Sequence, residues 1–460
     1  MYDDLGPDLE GFDLMDEEDL YDLGEQEDYM KSQTVYDVFR YCLKPTVLDA
    51  YANLLHLFLV CLLFRTATQI ARFSSTFYHL ASAVSGSYVL YVFFSGHCLH
   101  TIGMVLVCYL ALKKVSSSFG RYRGYCIAAG LLTYLFLAEM SLVKSQTWER
   151  IRGPQMMTAI KIISYAFDLD NGCVKKLNFL NYLGYALCPG TSIFGPWVSY
   201  SDYLACLDND QWDLKWIYRI FMSFLKSLIF FTLSVCILEW VVPDNSTQPW
   251  LIYRNAMSFR VSHYFVSYVS ETSALFSGYV KRIDVSKPMS IEIPHSLVEV
   301  VVYWNLPLHR WLKTYVFKTT LQAGSLVAVM STYLISALLH GLNLRLAAVL
   351  LSLGVYTYVE HSFRSDLAYR FSACVSSRSC SAPCHKHRNT TNNLIVHTVN
   401  NLFTALAMFH LAYLGVLIDM TNSKQVTLEN AFLEWHNVNY ISHIVVLATF
   451  IIHKIMMIFM

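Results

Sequence analysis

Charge is scarce in this chain. Only 15% of its 460 residues are Asp, Glu, Lys or Arg, against about 25% in a typical soluble domain. With 55% hydrophobic residues and a mean hydropathy of +0.38, that scarcity excludes an ordinary water-soluble globule. Basic residues are missing altogether from residues 1–30, which hold thirteen Asp and Glu. The apolar stretch that opens a cleavable secretory signal is missing there too, so the first membrane helix is expected to act as an uncleaved signal anchor. Regular cysteine spacing is absent and no disulfide framework can be read. Cys61, Cys98, Cys108, Cys126, Cys188 and Cys236 fall in apolar runs, where they are most simply small buried hydrophobes. No internal repeat is visible, which weakens a transporter built on inverted repeats. No His-rich box of the membrane di-iron type is present; His97 and His100 stand alone, without a third ligand.

What the chain does have is apolar runs of membrane-spanning length. Candidate spans lie near 47–65, 76–95, 98–113, 124–143, 155–168, 178–200, 216–242, 255–280, 321–340, 342–360, 394–419 and 438–460. The expectation is an all-α polytopic membrane protein with about ten to twelve transmembrane or intramembrane helices. Residues 1–40 read as an acidic, largely disordered tail, solubilising or partner-binding, and 41–460 as the membrane domain. The piece at 155–168 carries Lys161 and reads as an intramembrane or interfacial helix. The stretch 287–318 is interrupted by Pro288, Pro294 and Pro307. Irregular backbone at membrane depth is tolerated only against protein or a water-filled cavity, so this stretch is expected to line one. The basic loops 113–123 (Lys113, Lys114, Arg121, Arg123) and 364–388 (Arg364, Arg370, Arg378, Lys386, Arg388) both favour the cytosol. Of two glycosylation sequons, Asn245 is the one expected on the luminal side; Asn389 follows a basic loop.

Two residues stand out chemically. His340 ends the uncharged run from Leu321, a place where an ionisable group is a functional candidate. The alternative is a histidine hydrogen-bonded at headgroup level. Asn305 precedes Leu306-Pro307, where plain helix is disfavoured. The two are 35 residues apart, so only tertiary folding can join them. Tyr333 and Ser336 lie seven and four residues before His340, on its helical face. With Trp304 they are candidate substrate-pocket residues, core packing being the plainer reading.

Trp304-Asn305 in a long amphipathic loop, followed by His340-Gly341 closing a hydrophobic helix, resembles the membrane-bound O-acyltransferase family. Further likeness lies in the segment Ser286 to Pro307, in Tyr315-Val-Phe-Lys318, Ser336-Ala-Leu-Leu-His-Gly341 and Thr357-Tyr-Val-Glu-His361. Upstream, Arg152-Gly-Pro-Gln-Met156, Phe167-Asp-Leu-Asp170 and Phe194-Gly-Pro-Trp197 add to it. The likeness runs from about Trp148 to the C-terminus and more weakly before; the acidic tail has no part in it. It is strongest to the branch of the family that acylates Wnt proteins.

The resemblance implies helices around a central tunnel open at both faces, in a multi-pass protein of the endoplasmic reticulum membrane. It implies transfer of a monounsaturated acyl group from palmitoleoyl-CoA to a serine hydroxyl of a Wnt protein. His340 is then the catalytic residue, with Asn305 orienting or stabilising the reacting acyl group. Serine is a poor nucleophile at neutral pH and needs a base in hydrogen-bond reach, for which a neutral imidazole is suited. Lys287, Arg310, Lys313 and Lys318 flank the loop and are candidates for the CoA phosphates, or else snorkel at the surface. The acyl-CoA is a co-substrate; no tightly bound cofactor and no nucleic-acid partner are expected, and membrane lipids surround the protein.

Cys374, Cys380, Cys384, His385 and His387 put five soft ligands into fourteen residues. Their spacing matches no common zinc motif, and no metal is assigned. Metal binding, acylation of juxtamembrane cysteines and a disulfide stay open. From other function classes, a transporter would use Asn305 and His340 to line a path, and an inactive scaffold would escort lipidated cargo. Within the enzyme class, the acceptor can instead be a sterol, a lysolipid or another peptide.

Overall fold

In the computed structural model the described residues are 34–71, 74–118, 122–207, 212–279, 283–380, 384, 386–415 and 432–459. Their regular secondary structure is helical, joined by turns and irregular segments, apart from one isolated bridge between Ala373 and Asn389. The main helices are α1 (Lys44–Ala71), α2 (Ser75–Phe94), α3 (Cys98–Ser118), α4 (Arg123–Leu137), α5 (Ser145–Asp170), α6 (Phe179–Ala186), α7 (Leu214–Thr232) and α8 (Gln248–Phe276). Three short helices follow: α9 (Pro288–Glu292), α10 (Leu297–Trp304) and α11 (Leu306–Leu312). Then come α12 (Ser325–Leu339), α13 (Leu344–Arg370), α14 (Leu394–Gly415) and α15 (Ile441–Phe459).

Among the described residues, seven stretches are long and apolar enough to cross a membrane, and one of them, Ser75–Val115, covers α2 and most of α3. With the buried α5, the long α8 and the short apolar α12, the number of long helices falls within the expected ten to twelve. Leu59, Leu63, Val107, Leu110, Ile451 and Ile455 are exposed. Such an apolar exterior is the surface a lipid solvent selects.

Helical turns begin at Val35 and run into α1, inside the segment assigned to the tail. Residues 1–33 lie outside the described residues. The span expected at 178–200 is a short helix followed by turns around Pro189 and Pro196, and is mostly buried. Proline and glycine break the helix there, and protein rather than lipid covers the irregular backbone. It packs under α2 so closely that a Cβ at Gly86 would collide with the carbonyl oxygen of Leu187.

The segment 155–168, read as an intramembrane or interfacial helix, is part of the longer α5, and with Ile151, Ala159, Ile162 and Ala166 fully covered it is enclosed by protein rather than lying at an interface. Lys161 lies within it. Its ammonium is wholly buried because Ala186 O and Thr191 Oγ1 each accept from it at 2.9 Å. Two of the cysteines also differ from expectation. Cys236 forms a disulfide with Cys42, 194 residues away. Cys126 is exposed, while Cys61, Cys98, Cys108 and Cys188 are buried and free.

Contacts between helix ends sort the loops into two faces. Arg123 pairs with Asp170 at 2.9 Å, joining the start of α4 to the end of α5. His453 meets Asp366 at 2.6 Å, joining the ends of α13 and α15. These ends share one face, with Arg370 at the end of α13 and Arg378, Lys386 and Arg388 beyond it. On the opposite face lie the Cys42–Cys236 bond, the turn through Asn245, and Gly341 beside Glu139 and Arg152.

Candidate active site

The interrupted segment was expected to be broken, and it is. Pro288 and Pro307 each sit in the first turn of a short helix, where a missing N–H costs nothing. Ser296 caps α10 by accepting from Glu299 N at 3.1 Å. Asn305 ends α10 and caps α11: its backbone leaves the helical region (φ −145°, ψ 88°), and Oδ1 accepts from Leu308 N at 3.0 Å. Two backbone hydrogen bonds bracket it. Lys287 N donates to Tyr303 O at 3.1 Å, and Leu306 N to Val285 O at 3.0 Å. Trp311 Nε1 donates to Ile160 O at 2.9 Å, and Tyr315 to Asp168 Oδ1 at 2.9 Å, so α5 holds the far side.

α10 is anchored at its start by a buried polar knot. Leu297 N donates to Glu360 Oε2 at 2.8 Å, and Arg364 Nη1 donates to Glu360 at 3.0 Å and to His295 O at 2.7 Å. Arg364 is fully buried, so this pair sits out of water with its donors satisfied by Val375 O, Ser376 O and Asn400 Oδ1.

His340 lies at the C-cap of α12, its N–H donating to Ser336 O and Ala337 O. The next residue, Gly341, has φ +95°, and a Cβ there would stand 2.6 Å from a Glu139 carboxylate oxygen. Only glycine lets the chain turn so tightly beside that carboxylate. A cavity of about 20 Å³ lies against it, lined by Glu139, Arg152, Met156 and Leu339. That is room for about one water molecule.

Asn305 and His340 make no direct hydrogen bond; His263 of α8 stands between their neighbourhoods. Its ring stacks on Trp304 (centroids 4.4 Å apart, planes 8° apart) and its Nε2 lies 3.0 Å from Trp304 O. It is also close enough to His340 to act on it electrostatically, as Arg152 is. Sequence reading did not select His263, because nothing local distinguishes it from the other polar residues scattered along a long helix. Tyr333 is turned toward α13: its hydroxyl meets Thr357 Oγ1 at 3.1 Å and its ring covers Gly354. Ser336 is buried one turn before His340. Near His309, the cations Lys313, Arg378 and Arg310 gather from α11, its continuation and the segment after α13. Lys287 instead lies over the Tyr303 ring, 4.6 Å from its centre.

A model described as the MBOAT, membrane-bound O-acyltransferase family, matches residues 88–368, which include α10, α11, Asn305 and His340. The chain belongs to the membrane-bound O-acyltransferase family. It is an enzyme, an acyltransferase. Among its relatives is the protein-serine O-palmitoleoyltransferase porcupine of Homo sapiens, 36% identical over 449 residues, spanning 90% of this chain and 96% of that protein. The protein of the same description in Anopheles gambiae is 31% identical over 459 residues, 90% of this chain and 93% of the relative. Lysophospholipid acyltransferase 1 of Arabidopsis thaliana is 22% identical over 329 residues, 57% of this chain.

Proposed function

We propose that the protein transfers a palmitoleoyl group from palmitoleoyl-CoA to a serine hydroxyl of Wnt proteins in the endoplasmic reticulum membrane. The observation that carries this is the similarity to porcupine over nine tenths of both chains. An imidazole nitrogen of His340 takes the proton as the serine Oγ attacks the thioester carbonyl. The tetrahedral oxyanion accepts from the amide Nδ2–H of Asn305, whose Oδ1 is held by the α11 cap. Collapse breaks the C–S bond, and the proton passes from His340 to the CoA thiolate. Trp304, set by its stack on His263, and Ser336 border the acyl group, and Tyr333 holds α12 against α13 beside them. The CoA phosphates are drawn to Arg310, Lys313 and Arg378. Lys318 lies further along the same segment. The acyl chain and the acceptor enter a tunnel from opposite faces.

The decisive variant is His340→Ala, assayed with labelled palmitoleoyl-CoA and a Wnt hairpin peptide at matched protein level. Losing a general base lowers transfer by about 10²- to 10⁴-fold. Wild-type rates in that variant would remove His340 from the mechanism. Acyl-CoAs of varied length and unsaturation, read by mass spectrometry, test the donor. The Arabidopsis relative motivates one competing acceptor, a lysophospholipid; preference for it over the peptide would overturn the acceptor assignment.

A further inference from the structure

Past the segment matched by the family model, which ends at residue 368, the chain makes a loop whose cysteines and histidine the acyl-transfer chemistry does not use. Cys374, Cys380, Cys384 and His387 turn their donor atoms to one point, all within 4.8 Å of one another. Nδ1 of His387 is 3.5 Å from the sulfur of each of the three cysteines. A ring nitrogen carries one lone pair or one proton and cannot serve three thiols at once. A tetrahedral zinc ion, with Zn–S about 2.3 Å and Zn–N about 2.0–2.1 Å, sets S···N separations of about 3.6 Å. We propose that these four residues form a structural zinc site, replacing the sequence reading in which no metal was assigned.

The surroundings support it. The three cysteines are unpaired, and the loop lies on the basic face, which positive-inside bias places in the cytosol, where thiols stay reduced. The disulfide Cys42–Cys236 is on the other face. The loop ends are clamped for ligation: Cys374 N donates to Asn389 O and Asn389 N to Ser372 O, each at 2.9 Å, and Asn400 Nδ2 donates to Cys374 O at 3.0 Å. Four protein ligands close the coordination shell, the mark of a structural rather than a catalytic zinc. Its role follows from what lies between the first two ligands. Val375 O and Ser376 O hold Arg364, and Ser377 O accepts from Ser296 Oγ at 2.7 Å. Ser296 caps α10, which ends at Trp304 and Asn305. The metal thus fixes the loop that seats the start of the reactive segment.

The test is elemental analysis of the full-length protein purified in detergent. About one zinc per chain is expected in the wild type. Background levels are expected in Cys380→Ser and in His387→Ala, with the metal retained in Cys126→Ser, which alters an exposed cysteine elsewhere. In case the ligand variants fail to fold, the wild type alone gives a second reading. Cys374, Cys380 and Cys384 should resist alkylation until a chelator strips the zinc, then all react. A wild-type protein free of metal, zinc retained in the ligand variants, or the three cysteines found acylated or disulfide-bonded by mass spectrometry would each overturn the proposal.

Discussion

The two ends of the Asn305 amide face different tasks. Oδ1 caps α11, and Nδ2 has no partner among the described residues. Asp at this position keeps an acceptor for the cap and removes the donor. Asn305→Asp is therefore expected to keep wild-type thermal stability while transfer falls about 10²- to 10³-fold. Asn305→Ala should lose the cap as well, about 1 kcal/mol of stability. Equal activity in Asn305→Asp and wild type would assign the residue to capping alone. His263 is expected to act as a positioning residue of the same neighbourhood. Phe in its place preserves an aromatic stack on Trp304 but not the hydrogen bond to Trp304 O. With His263→Phe, kcat should drop while KM for acyl-CoA stays near wild type; a change in KM alone would make it part of the donor pocket instead.

At the scale of elements, α10 depends on a buried ion pair formed by α13. Glu360 takes the first N–H of α10 and neutralises Arg364, which in turn holds His295 O and the carbonyls of Val375 and Ser376. Removing one partner of a buried pair leaves the other charged and out of water, at about 3–5 kcal/mol. Glu360→Ala should show a large fall in the midpoint of thermal unfolding in detergent. An unchanged midpoint would mean that Arg364 is satisfied by its carbonyl partners alone. The apolar helices ask for no such device, since their backbone hydrogen bonds close internally.

At the scale of the molecule, helix alternation gives two faces of opposite character. One carries the basic residues Lys113, Lys114, Arg123 and those beyond α13; the other carries the disulfide and the Asn245 turn. Basic loops face the cytosol and disulfides form in oxidising compartments, so both criteria select the same orientation. His340 and Gly341 lie toward the face that carries the disulfide, opposite the basic loops. Asn245 is exposed there, while the side-chain amide of Asn389 donates to Phe371 O at 2.9 Å on the basic face. A glycosidase-sensitive mobility shift should therefore vanish in Asn245→Gln and persist in Asn389→Gln. The reverse result would invert the protein in the membrane.

The sequence by itself determined the solvent, the broken reactive segment and the two polar residues worth watching. Those signals are local: apolar run length, proline spacing, and a histidine at the end of an uncharged helix. It also carried Glu360 within a recognisable motif, though not the partner that explains it. It placed Lys161 on a membrane-domain helix without showing the carbonyl and hydroxyl that bury its ammonium. Tertiary structure alone decided which distant groups meet: Cys42 with Cys236 across 194 residues, His263 between Trp304 and His340, and three sulfurs at one distance from His387. In an all-helical membrane protein, composition is set residue by residue against lipid. Which helices pack together, and so which side chains share a site, is set by shape across the whole bundle, and no short stretch of sequence contains it.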